Sequence, residues 1–277
     1  MSTPRNQSVI KAFRMLKLFV GPDEWLTSSE LSRRAGLPEA SGYRLMQTLE
    51  EVGAVVRGPR GRYRPGMLLL SLSRDVDIGN LLHEASQGMI VQLARQLDVT
   101  LHIGLLDDGM VTYVSKVGTP TSFHTFTRLG AQLEAYCSGL GKVLLAALPQ
   151  EELDRFLLSG PLIPLTPYTI TDPEALRTHL DEIRRTGFAL DDREVREDMC
   201  CIAVPIRDAQ GAIVAAISAT DTVERMTPER LATLRAALDT AAAGISRKVF
   251  PVEPLGDPIG LAPRSPLRET SATHGSA

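Results

Sequence analysis

One stretch of sequence decides the fold of the first part of the chain, and it reads TSSELSRRAGLPEASGYRLMQTLEEVGAVVRGPRGRYR at residues 27–64. Thr27 and Glu30 have the spacing of a capping box, in which each side chain accepts from the backbone amide of the other residue. A helix therefore begins here, and the Gly-Leu-Pro sequence at residues 36–38 ends it. Upstream, apolar residues near helical spacing over residues 6–20 predict a preceding amphipathic helix.

The second half of this stretch predicts one more helix and a hairpin. Apolar residues at helical spacing resume over residues 43–52 and stop at Gly53. Two short strand candidates, residues 54–57 and 62–64, then flank a Gly-Pro-Arg-Gly turn at residues 58–61. Three helices followed by a hairpin with a cationic tip are typical of a winged helix-turn-helix.

The charge distribution separates this basic N-terminal part from an acidic remainder. Residues 1–75 contain 12 Lys and Arg against 7 Asp and Glu, a net charge of +5, whereas the whole chain carries −3. The remaining residues therefore carry −8. This asymmetry indicates that one end of the chain meets a polyanion and the other does not.

The second helix of a helix-turn-helix enters the major groove of DNA, where its N-terminal residues contact base edges. Here Arg44 can bind a phosphate or a guanine, Ser41 a base edge or a phosphate, and Tyr43 a phosphate. The predicted DNA-binding residues are Arg33, Arg34, Ser41, Tyr43, Arg44, Arg57, Arg60 and Arg62. The agreement of helix, turn, wing and charge favours DNA binding. The alternatives are solvated cations on a small helical domain and a winged helix that binds another protein.

Two positions of the second helix depart from this pattern. Glu39 is acidic where a residue facing the groove is usually basic or neutral. Gly42 stands where an aliphatic side chain normally packs against the preceding helix, and glycine within a helix costs about 1 kcal/mol relative to alanine. If the site has room, we expect Gly42→Ala to raise the melting temperature. Met46 and Trp25 are the neighbours that could fill the space instead.

The rest of the chain predicts an α+β domain with an antiparallel sheet. A long helix at residues 77–98 precedes a hairpin at residues 100–117, whose Asp-Asp-Gly turn is a strong hairpin signal. Further helices are predicted at residues 139–148, 150–158, 173–186 and 227–248, and further strands at residues 188–191, 200–207 and 212–220.

Several classes of protein are disfavoured by composition. The sequence contains no run of about 18 apolar residues, so no transmembrane span is predicted. The N-terminus lacks the basic and apolar regions of a signal peptide. Three cysteines, two of them adjacent, make a poor disulfide framework, so we expect a cytoplasmic protein. The five histidines lack the spacing of metal ligands, and residues 138–142 lack the spacing of a phosphate-binding loop. We therefore expect no metal and no cofactor.

Three stretches, in this order, carry a resemblance to a known family. They are residues 29–53, followed by Tyr63 and Gly66 after the wing; residues 130–146, GAQLEAYCSGLGKVLLA; and residues 183–194, IRRTGFALDDRE, continuing to residues 201–206, Gly211 and residues 215–218. Over residues 6–248 the chain resembles the IclR family of bacterial transcription regulators. The first stretch alone fits many winged-helix proteins, whereas the three together are specific.

The resemblance implies a regulator without enzyme activity. The implied domains are a winged helix-turn-helix DNA-binding domain over residues 1–75, a linker helix over 76–98 and a GAF-like effector-binding domain over 99–250. Five prolines, three glycines and little apolar periodicity predict a disordered tail over 251–277. The resemblance also implies a homodimer or homotetramer that binds a double-stranded DNA operator as a repressor or an activator.

The resemblance places an effector site in the second domain. The implied effector-binding residues are Ser122, Thr125, Ser138, Gly139, Leu140, Gly141, Asp191, Cys201, Ser218 and Thr220. Free amides at a helix N-terminus bind carboxylates well, so the site suits a small organic acid. Ser122 and Thr125 stand where relatives often carry apolar residues and favour a hydroxylated or multiply acidic ligand. Asp191 would repel an acid unless it accepts from a ligand hydroxyl or a backbone amide, or binds protonated.

A thiol-based redox sensor or a thiol enzyme on the same GAF-like domain is the alternative function. Its reactive thiolate would be Cys137 or Cys201, which needs a base or a cation close to the sulfur. Lys142 is close to Cys137 in sequence, but no His–Asp pair accompanies either cysteine. We expect Cys201 to form a wall of the effector site instead.

Overall fold

The computed structural model describes residues 5–19 and 24–251 of the 277-residue chain. These residues form two compact units, one ending at Val76 and the other beginning at Asp77. The predicted tail, residues 251–277, lies outside the described residues except for its first residue.

Within residues 5–19 and 24–76, the first unit is a winged helix-turn-helix with one strand and one helix more than predicted. Its elements are α1 (Gln7–Leu16), β1 (Leu26–Thr27), α2 (Ser28–Ala35), α3 (Glu39–Glu51), β2 (Val55–Arg57), β3 (Arg62–Pro65) and α4 (Met67–Ser73). The strands form an antiparallel sheet in the order β1-β3-β2. The predicted capping box is confirmed, because the Glu30 amide donates to Thr27 Oγ1 over 3.2 Å and the Thr27 amide donates to Glu30 Oε2 over 2.8 Å. Strand β1 and helix α4 are the additions.

The position of Gly42 on α3 is filled by a neighbouring side chain. An added Cβ at Gly42 would stand 1.8 Å from Ser32 Oγ and 2.9 Å from Ser32 Cβ, both on α2. Ser32, rather than Met46 or Trp25, therefore occupies the space that the sequence seemed to leave open. The condition under which Gly42→Ala would stabilise the unit is not met, because the new methyl group requires Ser32 to move.

The second unit is a three-layer α+β domain. Its elements are α5 (Ile78–Leu97), β4 (Thr100–Asp107), β5 (Met110–Val117), β6 (Gln132–Glu134), α6 (Gly139–Ala146), α7 (Gln150–Leu158), α8 (Pro173–Thr186), β7 (Ala189–Asp192), β8 (Met199–Arg207), β9 (Ile213–Thr222) and α9 (Pro228–Val249). The strands form one antiparallel sheet in the order β6-β5-β4-β9-β8-β7. Helices α5 and α9 cover one face of this sheet, and helices α6, α7 and α8 cover the other.

Alternation along the central strands decides which side chains reach the α6 face of the sheet. On β8, Cys200 packs with the α5 and α9 side chains, whereas Cys201 packs with those of α6. The two adjacent cysteines therefore point to opposite faces, as predicted. On β9, Ser218 and Thr220 are two residues apart and share the face of Cys201.

Helix α5, which the sequence suggested as a linker, lies in the core of the second unit. Its residues Leu82, Ile90 and Ala94 are fully buried and pack with side chains of α9 and the sheet. The hydrophobic face of the helix is therefore covered by its own unit. Neither this 20-residue helix nor any other among the described residues is long and apolar enough to cross a membrane.

Candidate functional sites

Helix α3 has one face buried in the first unit and one exposed face, which is the arrangement expected of a helix that enters a DNA groove. Gly42 and Met46 are buried within the first unit, whereas Tyr43 and Arg44 are exposed and Ser41 is half-buried. Tyr43 remains 42% exposed. The phenol and the guanidinium therefore lie on the side of the helix that faces away from the core, where a major groove would meet them.

The two arginines before the turn lie in the last turn of α2 and are exposed. Arg34 Nη1 is 3.0 Å from Glu24 Oε1, an exposed ion pair that contributes little to stability. The C-terminal end of a helix is the negative end of its dipole, so Arg33 and Arg34 also stabilise α2. Binding a phosphate through Arg34 would exchange its Glu24 partner for DNA.

The wing is packed around Trp25. An added Cβ at Gly58 would stand 2.2 Å from Trp25 Cζ3, so the indole lies directly on the Gly58 backbone. The guanidinium carbon of Arg64 is 5.0 Å from the indole centroid, within cation–π range. Arg62 donates to the Trp25 carbonyl over 3.1 Å, so this predicted DNA-binding residue also has a structural partner.

The other predicted wing cations, Arg57 and Arg60, are exposed near the tip of the hairpin. Arg60 has a φ of +57°, in the left-handed region that a tight turn requires. The guanidinium carbon of Arg57 lies 5.9 Å from the ring centroid of buried Tyr63. Arg64 is a further exposed wing cation that sequence reasoning did not include, although its place in the predicted strand beside Arg62 was the signal.

A cavity of about 30 Å³ lies in the second unit between the start of α6 and the sheet. The predicted effector-binding residues that the structure brings together around it are Thr125, Ser138, Gly139, Leu140, Asp191, Cys201, Ser218 and Thr220. The lining residues that sequence reasoning missed are His102, Tyr113, Phe126, Thr127, Leu133, Val195 and Met199. Hydroxyls, a carboxyl, an imidazole and a thiol therefore meet within an otherwise apolar wall.

Ser122 and Gly141 do not line this cavity. Ser122 Oγ accepts from the Thr119 amide over 2.8 Å and lies 3.1 Å from Thr100 Oγ1, so its hydroxyl holds the loop after β5. At Gly141 an added Cβ would stand 2.2 Å from the Ala135 carbonyl oxygen. Gly141 therefore allows α6 to pack closely on the preceding chain, and its contact is with backbone rather than with the cavity.

The start of α6 lines the cavity, and its first amides have no acceptor within the helix. Ser138 caps the helix, because its Oγ accepts from the Gly141 amide over 3.0 Å. The amides of Gly139 and Leu140 belong to the first turn, where no acceptor within the helix exists. An added Cβ at Gly139 would stand 3.4 Å from Ala203 Cβ, so the helix start lies close on β8. Such a helix start favours an anionic ligand group.

Asp191 is buried at the cavity with one oxygen bonded and the other not. Its Oδ1 accepts from the amides of Glu194 over 2.8 Å and Val195 over 3.4 Å, so backbone amides, one of the three alternatives for this carboxyl, are among its partners. Its Oδ2 is buried and has no hydrogen-bond partner within the described residues. Burial raises the pKa of Asp191 to about 7, although the Lys142 ammonium opposes this rise. The carboxyl can therefore carry a proton near neutral pH.

A buried ion pair lies beside Asp191. The side chain of Lys142 on α6 is fully buried, and its Nζ donates to Glu194 Oε1 and lies 3.4 Å from His179 Nε2 on α8. Burial raises the pKa of Glu194 and lowers the pKa of His179; the Lys142 ammonium opposes the first change and adds to the second. Lys142 is thus engaged by Glu194 and not by Asp191.

His102 and two threonines form a hydrogen-bonded group on the cavity wall. His102 Nε2 lies 2.8 Å from Thr127 Oγ1 and 3.3 Å from Thr125 Oγ1. Burial lowers the pKa of His102 to about 3, so the imidazole is neutral. Burial also raises the pKa of Tyr113, whose ring centroid lies 5.1 Å from that of His102. No local signal in the sequence marks this group, because His102 precedes the two threonines by 23 and 25 residues.

The three cysteines of the chain are buried and free. Burial raises the pKa of Cys137 and Cys200 to about 12 and raises that of Cys201 well above its ordinary value. The Sγ of Cys201 lies 2.9 Å from Thr220 Oγ1, at the cavity wall. Protonated thiols are poor nucleophiles, so this environment disfavours a thiol enzyme or a redox sensor.

The first unit and the cavity of the second define a class of protein. A winged helix-turn-helix with exposed cations, followed by an α+β unit with a mainly apolar cavity that contains a few polar groups, is the architecture of a DNA-binding regulator with a ligand-binding domain. Residues 8–59 match the model of the IclR helix-turn-helix domain. Residues 76–247 match that of the bacterial transcriptional regulator IclR C-terminal domain.

The chain is also similar over most of its length to transcriptional regulators of known name. The transcriptional regulator XynR of Escherichia coli K12 is 30% identical over 246 residues, which are 88% of this chain and 97% of XynR. The regulator KdgR of the same organism is 32% identical over 244 residues, 87% of this chain and 92% of KdgR. A crystal structure of an IclR homologue complexed with 4-hydroxybenzoate, from Microbacterium hydrocarbonoxydans, is 26% identical, with a TM-score of 0.58, over 88% of this chain and 99% of that one.

The chain belongs to the IclR family of bacterial transcriptional regulators. The predicted family and the α+β fold class are confirmed, and the thiol-enzyme alternative is wrong, since the relatives are regulators and not enzymes.

Proposed function

We propose that this protein regulates transcription by binding a double-stranded DNA operator, and that a small organic acid in the cavity changes its DNA affinity or its activity. The proposed effector role rests on the composition of the cavity. The amides of Gly139 and Leu140, the carboxyl of Asp191 and the hydroxyls of Ser218 and Thr220 meet there. A carboxylate at the helix start and ligand hydroxyls at the strand residues would satisfy these groups.

The DNA-binding half rests on α3 and the wing. Arg44 and Tyr43 provide exposed contacts for base edges and phosphates, and Arg33, Arg57 and Arg60 provide exposed cations beside them. Each phosphate contact releases condensed counterions, so operator affinity should fall steeply with salt. A regulator of chromosomal operators acts in the cytoplasm, where we place this protein.

The acid would be a small hydroxylated one. His102 with Thr125 and Thr127 offers hydrogen bonds to a ligand hydroxyl, and the related crystal structure is complexed with 4-hydroxybenzoate, a hydroxylated acid. A cavity of about 30 Å³ holds little more than water. The side of the cavity at Phe126, which is 59% exposed, is where the wall would open for such a ligand.

We further infer a homodimer or homotetramer. Large apolar side chains stay exposed on α1 and α4 of the first unit, among them Val9, Phe13, Met67 and Leu70. Exposed apolar patches of this kind favour association. A two-fold assembly would also present two copies of α3 to a pseudo-palindromic operator, which doubles the base-specific contact. Sedimentation of the full chain on its operator tests this, and a monomer on DNA would contradict it.

The test of the function begins with a duplex selected by the full chain from random-sequence DNA. Footprinting and a salt titration on that duplex compare the wild type with Arg44→Ala and with the control Arg185→Ala, an exposed arginine of α8 in the second unit. We expect Arg44→Ala to lose the footprint and the control to keep it. Hydroxy, oxo and aromatic acids are then added to the wild-type complex, and no change in DNA affinity or transcription with any acid would contradict the effector role.

A further inference from the structure

The two oxygens of Asp191 have different environments, and this difference limits what can approach them. Oδ1 is held by two backbone amides of the turn that follows β7, those of Glu194 and Val195. Oδ2 is buried and has no partner among the described residues, and Asp191 lines the cavity. A buried carboxylate oxygen without a donor is costly, so Oδ2 requires either a proton or a ligand donor.

The charged groups around Asp191 leave its carboxyl without a dedicated cation. The titratable groups that act on it are Lys142 on α6, Glu194 on the turn after β7, Tyr113 on β5, Cys200 and Cys201 on β8, and Cys137 before α6. The phenol and the thiols are neutral near pH 7, because burial raises each pKa. The Lys142 ammonium is bound by the Glu194 carboxylate. His102, on the same cavity wall, is neutral.

An acid that enters this cavity brings a second carboxyl group close to that of Asp191. Two carboxylates in one buried site cannot both stay ionised, and the usual outcome is that they share a proton. A carboxylic acid kept protonated in an enzyme site can also serve as a hydrogen-bond donor to an oxyanion. Glu194 Oε2 is also buried without a partner in the part of the chain that the structure describes, but Glu194 is paired with Lys142 through Oε1 and does not line the cavity. Asp191 Oδ2 is therefore the oxygen at the cavity that can hold such a proton.

We infer, resting on the proposed effector role, that an acidic effector binds together with one proton taken from solvent, and that Asp191 Oδ2 carries this proton and donates it to the ligand carboxylate. The site then reads a carboxylate with the amides of Gly139 and Leu140 on one side and with a protonated carboxyl on the other. The charge added to the cavity on binding is zero. Effector affinity is therefore set by pH as well as by concentration.

The pH dependence has a definite sign. The free Asp191 carboxyl is protonated below its pKa of about 7, so binding there requires little proton uptake. Above that pH the proton must come from solvent, and the dissociation constant should rise about tenfold per pH unit. Operator response to a fixed concentration of acid weakens over the same range.

Isothermal titration calorimetry of the full chain tests this at about pH 8, with lactate, pyruvate and 4-hydroxybenzoate as probes. Comparing phosphate with Tris buffer, whose ionisation enthalpies differ, gives the number of protons taken up per bound acid. We expect about one for the wild type. Asp191→Asn replaces the proton carrier by an amide that donates at every pH, so we expect no uptake and a dissociation constant independent of pH. The matched control is Asp192→Asn, an adjacent exposed carboxylate paired with Arg193, which should behave as the wild type.

Each outcome decides between the two proposals. Binding by the wild type without proton uptake overturns the role of Asp191 and leaves the effector function standing. If no probe binds the wild type at any pH between about 5.5 and 8.5, the effector function fails and this inference fails with it. If Asp191→Asn does not fold, proton uptake by the wild type and the Asp192→Asn control still decides the question.

Discussion

Replacing Gly42 by alanine tests the packing of α3 on α2 directly. The new Cβ would stand 1.8 Å from Ser32 Oγ and 2.9 Å from Ser32 Cβ. Ser32 Oγ donates to the Ser28 carbonyl over 2.6 Å, so turning the hydroxyl away loses about 1 kcal/mol. Overpacking against Cβ costs about 1–3 kcal/mol, and the better helix propensity of alanine returns about 1 kcal/mol. We therefore expect Gly42→Ala to lower the free energy of unfolding by about 1–3 kcal/mol.

The only tryptophan of the chain, Trp25, lies in the first unit and serves as the reporter. Its fluorescence during urea unfolding of the full chain follows that unit separately from the second. Wild type, Gly42→Ala, Ser32→Ala and the double variant form a double-mutant cycle. Because Ser32→Ala removes the nearer of the two overlapping atoms, the double variant should be more stable than the sum of the single changes by about 1 kcal/mol. Ser32→Gly removes both Oγ and Cβ, so in combination with Gly42→Ala it should give a larger coupling free energy than Ser32→Ala does.

Two results would refute this reasoning. An unfolding midpoint of Gly42→Ala at or above that of the wild type would mean that the helices separate without cost. Additive effects of the two single changes would mean that Ser32 is not the side chain that the new methyl group meets. The control for a helical glycine is Gly88→Ala on α5, where an added Cβ has nothing within 4 Å. That change should stabilise the second unit by up to about 1 kcal/mol.

Further predictions concern both units. Arg44→Ala should weaken operator binding tenfold or more without altering the fold; an unchanged footprint would be evidence against α3 as the reading helix. Gly141→Ala should lower the melting temperature of the second unit in calorimetry, because its Cβ would stand 2.2 Å from the Ala135 carbonyl oxygen. A thiol reagent at about pH 8 should modify the buried cysteines only after unfolding; fast labelling of the native protein would contradict their assigned burial. Since the folded state holds the proton of Asp191 up to about pH 7, stability of the second unit should fall as pH rises from about 4 to 7, and Asp191→Asn should reduce this slope.

The elements of the first unit were predictable because short-range chemistry bounds them. The capping box of Thr27 and Glu30 marks the start of α2. Gly36, with a φ of +66°, ends the helix in the left-handed conformation that glycine favours. Strand β1 has two residues, too few to show an alternating pattern. Helix α4, MLLLSLS at Met67–Ser73, is apolar on consecutive positions, and no helical period marks it.

The residues of the candidate effector site were predictable only where a local motif marks them. Ser138 and Gly139 begin a helix, and Asp191 lies in a recognisable strand. His102 and Thr127 are 25 residues apart and meet because the loop after β5 folds back to β4. A single sequence gives no register for distant strands, so this half of the wall was missed.

The buried Lys142 links the two parts of the proposed acid-binding site. Helix α6 supplies both the amides of Gly139 and Leu140 and the Lys142 ammonium, and Lys142 pairs with Glu194. The backbone amide of Glu194 in turn holds Asp191 Oδ1. Truncating either Lys142 or Glu194 would leave the other charge buried without a partner, which costs about 3–5 kcal/mol. We therefore expect the start of α6 and Asp191 to keep their relative positions if an acid enters the cavity, and the wall at Phe126, whose side chain is 59% exposed, to be the part that moves.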